Sequence, residues 1–175
     1  MSTVTVLVTF YSRGGSTESL AHAAAVGAVQ ARALIRLRRA PDADEAAVVE
    51  RLADSRDALR RMHREYVAPR EADVLAAQVL LIGSPADVDP AAPEWAAFVD
   101  LLQRLQRDGK LTGKIAAVIA TGPSSDAFAT LVRRLGFDTI IDGDTSTDTE
   151  VDDVGRAVAL GRKAALLAQS TASTS

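Results

Sequence analysis

Residues 11–18 (YSRGGSTE) bring two glycines and several hydrogen-bonding side chains together in one short segment. The segment lies between an apolar run and an alanine-rich run, which predicts a turn between a strand and a helix. Glycines let backbone N–H groups turn toward a ligand, and a helix N-terminus adds partial positive charge. With the hydroxyls of Ser12, Ser16 and Thr17 as further donors, the segment predicts a phosphate site. The alternative is an ordinary glycine turn capped by Ser16.

The residues in and before this segment argue against three better-known kinds of phosphate chemistry. No lysine follows the glycines, so it is not a nucleoside-triphosphate loop of the G-x-x-x-x-G-K type. It also lacks the G-x-G-x-x-G spacing of a dinucleotide fingerprint. The preceding strand ends without a pair of acidic residues, which argues against a phospho-accepting receiver domain.

Other residue types with chemical potential have simpler interpretations. His22 and His63 are predicted to be solvated helix residues rather than proton donors. Trp95 lies on an apolar helical stripe and is predicted to be core. Tyr11 either approaches a ligand or packs under the next helix, and the sequence does not separate these roles. Two larger groups are predicted to be a salt-bridged exposed face (Arg60, Arg61, Arg64) and a solvated loop and helix cap without metal (Asp142, Asp144, Asp148, Asp152, Asp153).

Strand and helix patterns alternate along the chain, and the elements that they predict must position the glycine segment at residues 11–18. Strands are predicted at residues 3–10, 33–39, 78–82, 114–120 and 137–142. Helices are predicted at residues 17–30, 45–67, 72–77, 93–106, 124–135 and 150–168. Charges at Arg36 and Arg38 place the second strand at a sheet edge. The alternation predicts an α/β fold with a mostly parallel sheet, doubly wound in three layers. We expect one domain at residues 1–168 and a disordered tail at residues 169–175.

Composition narrows the function further. The chain has 175 residues, 47% of them hydrophobic, a net charge of −3 and no cysteine. The missing cysteines exclude disulfides, a thiolate nucleophile, zinc knuckles and iron–sulfur clusters. The acidic charge argues against a nucleic-acid partner. No apolar run reaches the ~20 residues that span a bilayer, and the N-terminus lacks a secretory pattern, so we expect no membrane partner and a cytoplasmic location.

The sequence resembles the flavodoxin-like family, and within it the WrbA-type NAD(P)H:quinone oxidoreductases. The first match is VLVTFYSRGGSTESLA at residues 6–21, whose S-x-x-G-x-T core is Ser12, Gly15 and Thr17. The second is LIGSPADVDPAAPEWAAFVD at residues 81–100, which is similar to the family's F-G-T-P-T-R-F-G-N-M…F-L-D segment. The closing helix, with VALGRKAALL at residues 158–167, resembles the family's A-x-x-L-G-x-x-x-A pattern.

This resemblance implies a flavodoxin-like five-stranded sheet of order 2-1-3-4-5 and FMN as cofactor. It implies NAD(P)H and a quinone-like molecule as reactants, and a homo-dimer or homo-tetramer. No side chain stands out as a catalytic acid or base. The implied cofactor-binding residues are Ser12, Arg13, Gly14, Gly15, Ser16, Thr17, Ser84, Pro85, Ala86, Asp87, Thr121 and Gly122.

The chain departs from the family where the flavin ring would lie. The family's R-F-G-N is here Asp87-Val88-Asp89-Pro90, and the third loop is shortened to residues 121–125. The phosphate end of an FMN site is therefore kept and the ring end altered. These changes predict weaker, more exposed FMN, and they keep two alternatives open: a non-catalytic flavodoxin-like module and a one-electron carrier. We also expect Met62, Tyr66 and Val67 to contribute to contacts between subunits.

Overall fold

A computed structural model of the chain describes residues 3–120, 123–141 and 153–173. Its centre is a parallel sheet in which neighbouring strands follow the order β2-β1-β3-β4-β5. The strands are β1 (Thr5–Phe10), β2 (Leu34–Arg39), β3 (Val79–Ser84), β4 (Ile115–Ala120) and β5 (Thr139–Ile141). The α/β class, the parallel pairing and the order of the first four strands agree with expectation. β5 pairs with β4 through three residues and is shorter than the predicted strand at residues 137–142.

Helices cover both faces of this sheet. They are α1 (Ser16–Gln30), α2 (Glu45–Arg51), α3 (Arg56–Glu65), α4 (Glu71–Ala76), α5 (Pro93–Arg107), α6 (Pro123–Arg134) and α7 (Asp153–Ala172). Because side chains alternate along a strand, β1 directs Val6, Val8 and Phe10 to one face and Leu7 to the other. The first face packs against α1, α7 and the α2–α3 segment, and the second against α4, α5 and α6. The result is a three-layer arrangement with two hydrophobic cores.

The predicted single helix at residues 45–67 is wrong. The structure divides it into α2, a 3₁₀ turn at Ala53–Ser55, and α3. Asp44 caps α2 by accepting a hydrogen bond from the Ala47 N–H at 3.0 Å. Asp54 and Ser55 lie in the break, and such side chains compete for backbone hydrogen bonds in non-helical conformations. Because the apolar residues keep helical spacing on both sides of the break, the sequence pattern does not reveal an interruption of one turn.

The boundary of the predicted tail is also wrong. α7 continues to Ala172, beyond the predicted end at residue 168. The Gln169 side chain donates a hydrogen bond to the Ala31 carbonyl at 2.6 Å, which attaches this last turn to the end of α1. Ala168 is buried in the core, so the end of α7 is part of the packed structure.

β2 is the sheet edge, as its arginines predicted. Arg36 and Arg38 both bind Asp73 of α4, at 3.0 and 2.9 Å. Asp73 is buried, and burial raises the pKa of its carboxyl, but hydrogen bonds from Arg38 and from the Arg70 N–H outweigh burial and lower it overall. The arginines of the edge are therefore held by an ion pair that ties α4 to β2.

Candidate functional site

Two loops meet where the strand order reverses around β1. Loop 1 (residues 11–15) follows β1, and loop 2 (residues 85–92) follows β3. Phe10 pairs with Gly83, and the Tyr11 N–H donates to the Gly83 carbonyl at 2.9 Å, so the loops leave the sheet side by side. In open α/β sheets, ligands bind beyond the carboxyl ends of the strands at such a point. The topology therefore places the two most distinctive loops of the sequence at one edge.

Loop 1 is a tight turn that ends in an uncapped helix. Gly15 is the N-cap residue of α1, with a left-handed φ of 100° that favours glycine. No side chain caps α1, and the first N–H groups of a helix have no partners within it. Ser12 is buried, and its Oγ accepts a hydrogen bond from the Gly15 N–H at 3.1 Å. The hydroxyl of Ser12 thus shapes the turn, while the end of α1 keeps donors available to an anion.

The other loop 1 residues differ in their surroundings. Ser16 and Gly14 are exposed, and Thr17 is buried. The Thr17 methyl packs beside Gly83 of β3, at 3.3 Å from where a Cβ would stand on that glycine. A larger residue at position 83 would displace Thr17, so the glycine of β3 allows the first turn of α1 to approach the sheet.

A buried carboxylate in the first turn of α1 is neutralised by α3. Arg61 donates to both oxygens of Glu18, at 2.8 and 2.6 Å, and the Tyr66 hydroxyl donates at 2.7 Å. The Arg61 hydrogen bonds lower the pKa of Glu18 despite its burial, so the carboxylate is charged near neutral pH. His22 contacts the Tyr66 oxygen at 2.6 Å. Because Arg61 neutralises Glu18, this carboxylate adds no uncompensated negative charge to the N-terminus of α1.

The region around Arg61 and Tyr66 tests two predictions from the sequence: a salt-bridged exposed face and a contact between subunits. Arg61 also binds Glu65 at 2.7 Å, so the prediction of a salt-bridged face is confirmed at this arginine. The prediction that Met62 contributes to a subunit contact is wrong, because Met62 is fully buried in the core. Tyr66 binds Glu18 within the chain, and its ring packs edge-on against Phe10. Of the three residues that suggested an interface, Met62 lies on the inward face of α3 and Tyr66 is half-buried, whereas Val67 is 50% exposed.

Loop 2 turns around the Ser84 hydroxyl. Its Oγ donates to the Val88 carbonyl at 2.7 Å and accepts from the Trp95 Nε1–H at 3.1 Å. Trp95 is fully buried and packs against Phe128, which confirms its prediction as core. Of the candidate residues, Ser84 is therefore committed to the turn, whereas Ala86 and Asp87 are exposed and Pro85 is half-buried.

An ion pair joins the two loops. Arg13 of loop 1 binds Asp87 of loop 2 at 3.0 Å, and its guanidinium lies 5.7 Å from the centre of the Tyr11 ring. Both charges are partly exposed, so the pair contributes no more than about 1 kcal/mol. Asp89 accepts the Ala91 N–H at 2.8 Å within its own loop. The negative charge of Asp87 is thus compensated by Arg13, for which the sequence predicted no partner.

A second polar cluster lies beside loop 1. Asp42 follows β2, and its fully buried side chain accepts hydrogen bonds from Tyr11, Arg39 and His63. Burial raises the pKa of Asp42, but the hydrogen bonds from His63 and Tyr11 outweigh burial and lower it overall. Burial and the bond to Asp42 raise the pKa of Tyr11 to about 12. The prediction of His63 as a solvated residue is wrong, since it is 16% exposed and binds Asp42 at 2.5 Å.

The members of this cluster are far apart in the chain, so no local sequence pattern predicted it. Of the two acidic residues between β2 and α2, Asp44 caps α2 and Asp42 forms a buried ion pair. The feature of the sequence that could have indicated a buried acidic partner is Arg39, which follows Arg38 directly at the end of β2.

The third candidate loop is described only in part. Thr121 and Gly122 lie outside the described residues, as does the acidic stretch at residues 142–150. Ser124, in the first turn of α6, is buried, and its Oγ has no hydrogen-bond partner. Asp153 is described and binds Arg156 at 2.5 Å. Within residues 3–120, 123–141 and 153–173, no cluster of acidic and histidine side chains is suited to a metal ion.

Other surface features lie away from the loops. An open groove of about 620 Å³ runs between α1 and α7, lined in part by Val158, Arg162 and Leu166, and includes no residue of loops 1 or 2. In the part of the chain that the structure describes, no helix has the length and apolar character needed to cross a bilayer.

Comparison with known proteins agrees with this architecture. No protein-family model matches the chain. It is 30% identical over 116 residues to NAD(P)H dehydrogenase (quinone) 3 of Rhizobium meliloti (strain 1021), a match covering 66% of this chain and 52% of that protein. It is 27% identical over 132 residues to NAD(P)H dehydrogenase (quinone) of Archaeoglobus fulgidus, covering 74% and 69%. The chain thus matches about half of the Rhizobium protein's length.

Solved structures show the same fold. A flavodoxin, WrbA-like protein from Agrobacterium tumefaciens superimposes with a TM-score of 0.66 at 17% identity, over 96% of this chain and 99% of that one. A flavodoxin of Streptococcus pneumonia TIGR4 gives 0.61 at 16% identity, over 94% and 99%. The fold is flavodoxin-like, and the resemblance to the flavodoxin-like family and its WrbA-type members is confirmed.

Proposed function

We propose that this chain binds FMN and passes electrons from NAD(P)H to a quinone or a similar acceptor. The observation that carries the proposal is the uncapped N-terminus of α1 behind a glycine turn, at the point where the strand order reverses between β1 and β3. The names of the relatives from Rhizobium and Archaeoglobus support this type of reaction. A bound flavin would supply the electron chemistry, and the protein supplies position and electrostatics.

The residues of loop 1 fit the phosphate of such a cofactor. At Gly14, an added Cβ would meet only the Ser55 Oγ, at an ordinary contact distance of 3.5 Å. Gly15 gives the turn its left-handed step, and Thr17 adds a hydroxyl in the first turn of α1. Since Arg61 neutralises Glu18, an anion at this position meets the positive end of the helix rather than a free carboxylate.

Loops 1 and 2 offer fewer groups to the flavin ring than to the phosphate. Tyr11 and Trp95, the aromatic residues closest in sequence to loops 1 and 2, are both fully buried and present no free ring face to a ligand. The exposed Arg13–Asp87 pair is the polar feature that joins the tips of these loops. This arrangement supports the expectation of weaker and more exposed binding at the ring than at the phosphate.

The buried aromatic rings also favour a second candidate function. In a non-catalytic flavodoxin-like module, loop 1 would keep an anion and loop 2 would serve protein contacts. The specific observation behind this alternative is that the Ser84 hydroxyl bonds to the Val88 carbonyl and to the Trp95 ring inside the protein, so neither side chain faces a ligand. The two functions differ in whether flavin stays bound and turns over.

Spectroscopy of the purified protein separates them. The protein is incubated with FMN, passed through gel filtration, and examined for flavin absorption. FMN and riboflavin are then titrated by fluorescence quenching, because only FMN carries the phosphate. We expect tighter binding of FMN than of riboflavin, and oxidation of NADH or NADPH when benzoquinone is added. Flavin binding without turnover would favour an electron carrier, and absence of binding would favour the module.

Thr17→Ala is the sharpest variant for the phosphate end. Loss of a hydrogen bond to a charged group costs about 1.5–3 kcal/mol, so FMN affinity should fall by that amount while riboflavin affinity stays constant. Thr130→Ala, at an exposed position of α6, is the matched control. Ser12→Ala is less informative, since it also removes the acceptor of the Gly15 N–H. Equal FMN affinity of Thr17→Ala and Thr130→Ala would remove Thr17 from the site.

A further inference from the structure

The Asp42 cluster reaches the backbone of loop 1 through Arg39. Arg39 is 4% exposed on its side chain, and its Nη2 donates to the Asp42 carboxylate at 3.0 Å. The same nitrogen donates to the carbonyl oxygen of Ser12 at 2.8 Å. A single buried guanidinium therefore joins Asp42, three residues beyond the end of β2, to Ser12 of loop 1.

The donors around Asp42 hold that guanidinium in place. The Tyr11 hydroxyl donates to Oδ1 at 2.7 Å, and the His63 Nε2 contacts Oδ2 at 2.5 Å. The Arg39 guanidinium also lies 5.3 Å from the centre of the Tyr11 ring. Glu45 approaches His63 Nδ1 at 2.9 Å from the exposed side, without the alignment of a hydrogen bond. Arg39 is thus held by charge, by hydrogen bonds and by a ring face.

The contact with Ser12 determines how the loop presents its amides. In a planar trans peptide, the carbonyl and the following N–H point in opposite directions. When Arg39 draws the Ser12 carbonyl toward the buried cluster, the Arg13 N–H points away from it. The Ser12 side chain meanwhile accepts the Gly15 N–H at 3.1 Å and sets the next part of the turn. Two contacts of one residue therefore fix both the start and the end of loop 1.

A buried ion cluster is a poor source of stability, because desolvation offsets most of the attraction. We infer that Asp42 is a positioning residue for the phosphate-binding loop, acting through Arg39 on the Ser12 carbonyl. The inference rests on the proposed function, since it assigns Asp42 to the same FMN phosphate site. Asp42 touches no ligand in this role.

Asp73 offers a matched control for the test. It is also a buried carboxylate that binds arginines of β2, in this case Arg36 and Arg38, but Asp73 lies on α4 and its ion pairs involve no residue of loop 1. Asp42→Asn and Asp73→Asn both remove one buried charge. The probes are FMN and riboflavin, and the readout is the ratio of their affinities. Thermal unfolding of each variant records the purely structural effect.

We expect Asp42→Asn to lower the FMN-to-riboflavin affinity ratio at least tenfold, and Asp73→Asn to leave it within twofold of the unchanged chain. Hydrogen exchange of the peptide covering loop 1 should be faster in Asp42→Asn than in Asp73→Asn.

The outcomes are distinguishable. An unchanged ratio in Asp42→Asn, with lower thermal stability, would overturn the inference and leave the proposed function intact. Equal affinity of the unchanged chain for FMN and riboflavin would overturn the proposed function and the inference together. If Asp42→Asn does not fold, Arg39→Lys tests the same route, because an ammonium replaces the planar fork. Its ratio should fall at least fivefold, and an unchanged ratio would again overturn the inference.

Discussion

The close crossing of α1 and α7 gives a prediction that can be worked from distances. A Cβ built on Gly161 would lie 1.9 Å from the Ala24 carbonyl oxygen, and one on Gly27 would lie 1.9 Å from the Val158 carbonyl oxygen. Ordinary contact needs about 3.5 Å, so Gly161→Ala requires the helices to separate by about 1.5 Å. The obstructing atoms are backbone, which cannot rotate away as a side chain would.

The magnitude follows from two opposing effects. Overpacking a core costs about 1–3 kcal/mol, and we place this case above that range because two backbones must move and the buried alanines between them lose contact. Helix propensity favours alanine over glycine by about 1 kcal/mol. We therefore expect Gly161→Ala to lower the free energy of unfolding by about 2–4 kcal/mol. At about 2–4 °C per kcal/mol for this size, Tm should fall by about 4–16 °C.

Urea unfolding followed by circular dichroism measures the effect. Ala159→Gly, at an exposed position of α7, is the control for propensity and should lose about 1 kcal/mol. Gly27→Ala should resemble Gly161→Ala, and the double variant should lose less than the sum, since one separation relieves both clashes. A neutral or stabilising effect of Gly161→Ala would refute the close crossing.

Two further predictions concern polar contacts of the core. The pKa of Asp73 is lowered by its arginines, Arg36 and Arg38, so its contribution to stability is complete above the ordinary carboxyl pKa of about 4 and is lost as the pH falls below it. Asp73→Asn should therefore show a shallower loss of stability below about pH 4 in urea titrations, and equal slopes would contradict the pairing. Trp95→Phe removes the donor to Ser84 and should lower the free energy of unfolding by about 1–3 kcal/mol, whereas an unchanged urea midpoint would show that the bond contributes nothing.

Local sequence patterns determined most of the secondary structure. β-branched and apolar runs set β1, β3 and β4, and glycine placed the turn before α1, because these preferences act within a few residues. The same locality explains the errors. Apolar spacing continued across the break at Ala53–Ser55, and polar composition alone suggested a tail where the end of α7 packs against α1.

The sequence also identified both loops of the candidate site, since glycines, hydroxyls and the family-like motifs lie in contiguous segments. It did not identify what holds them. Arg13 and Asp87 are 74 residues apart, Glu18 and Arg61 are 43 apart, and Tyr11 and Asp42 are 31 apart. The residues next to a charged side chain do not indicate its partner. The sequence alone therefore allows any arginine to pair with any acidic residue. The tertiary structure decides which charges meet and which are buried, because the parallel strand order brings the ends of β1, β2 and β3 together and α1 and α3 pack on the same face of the sheet.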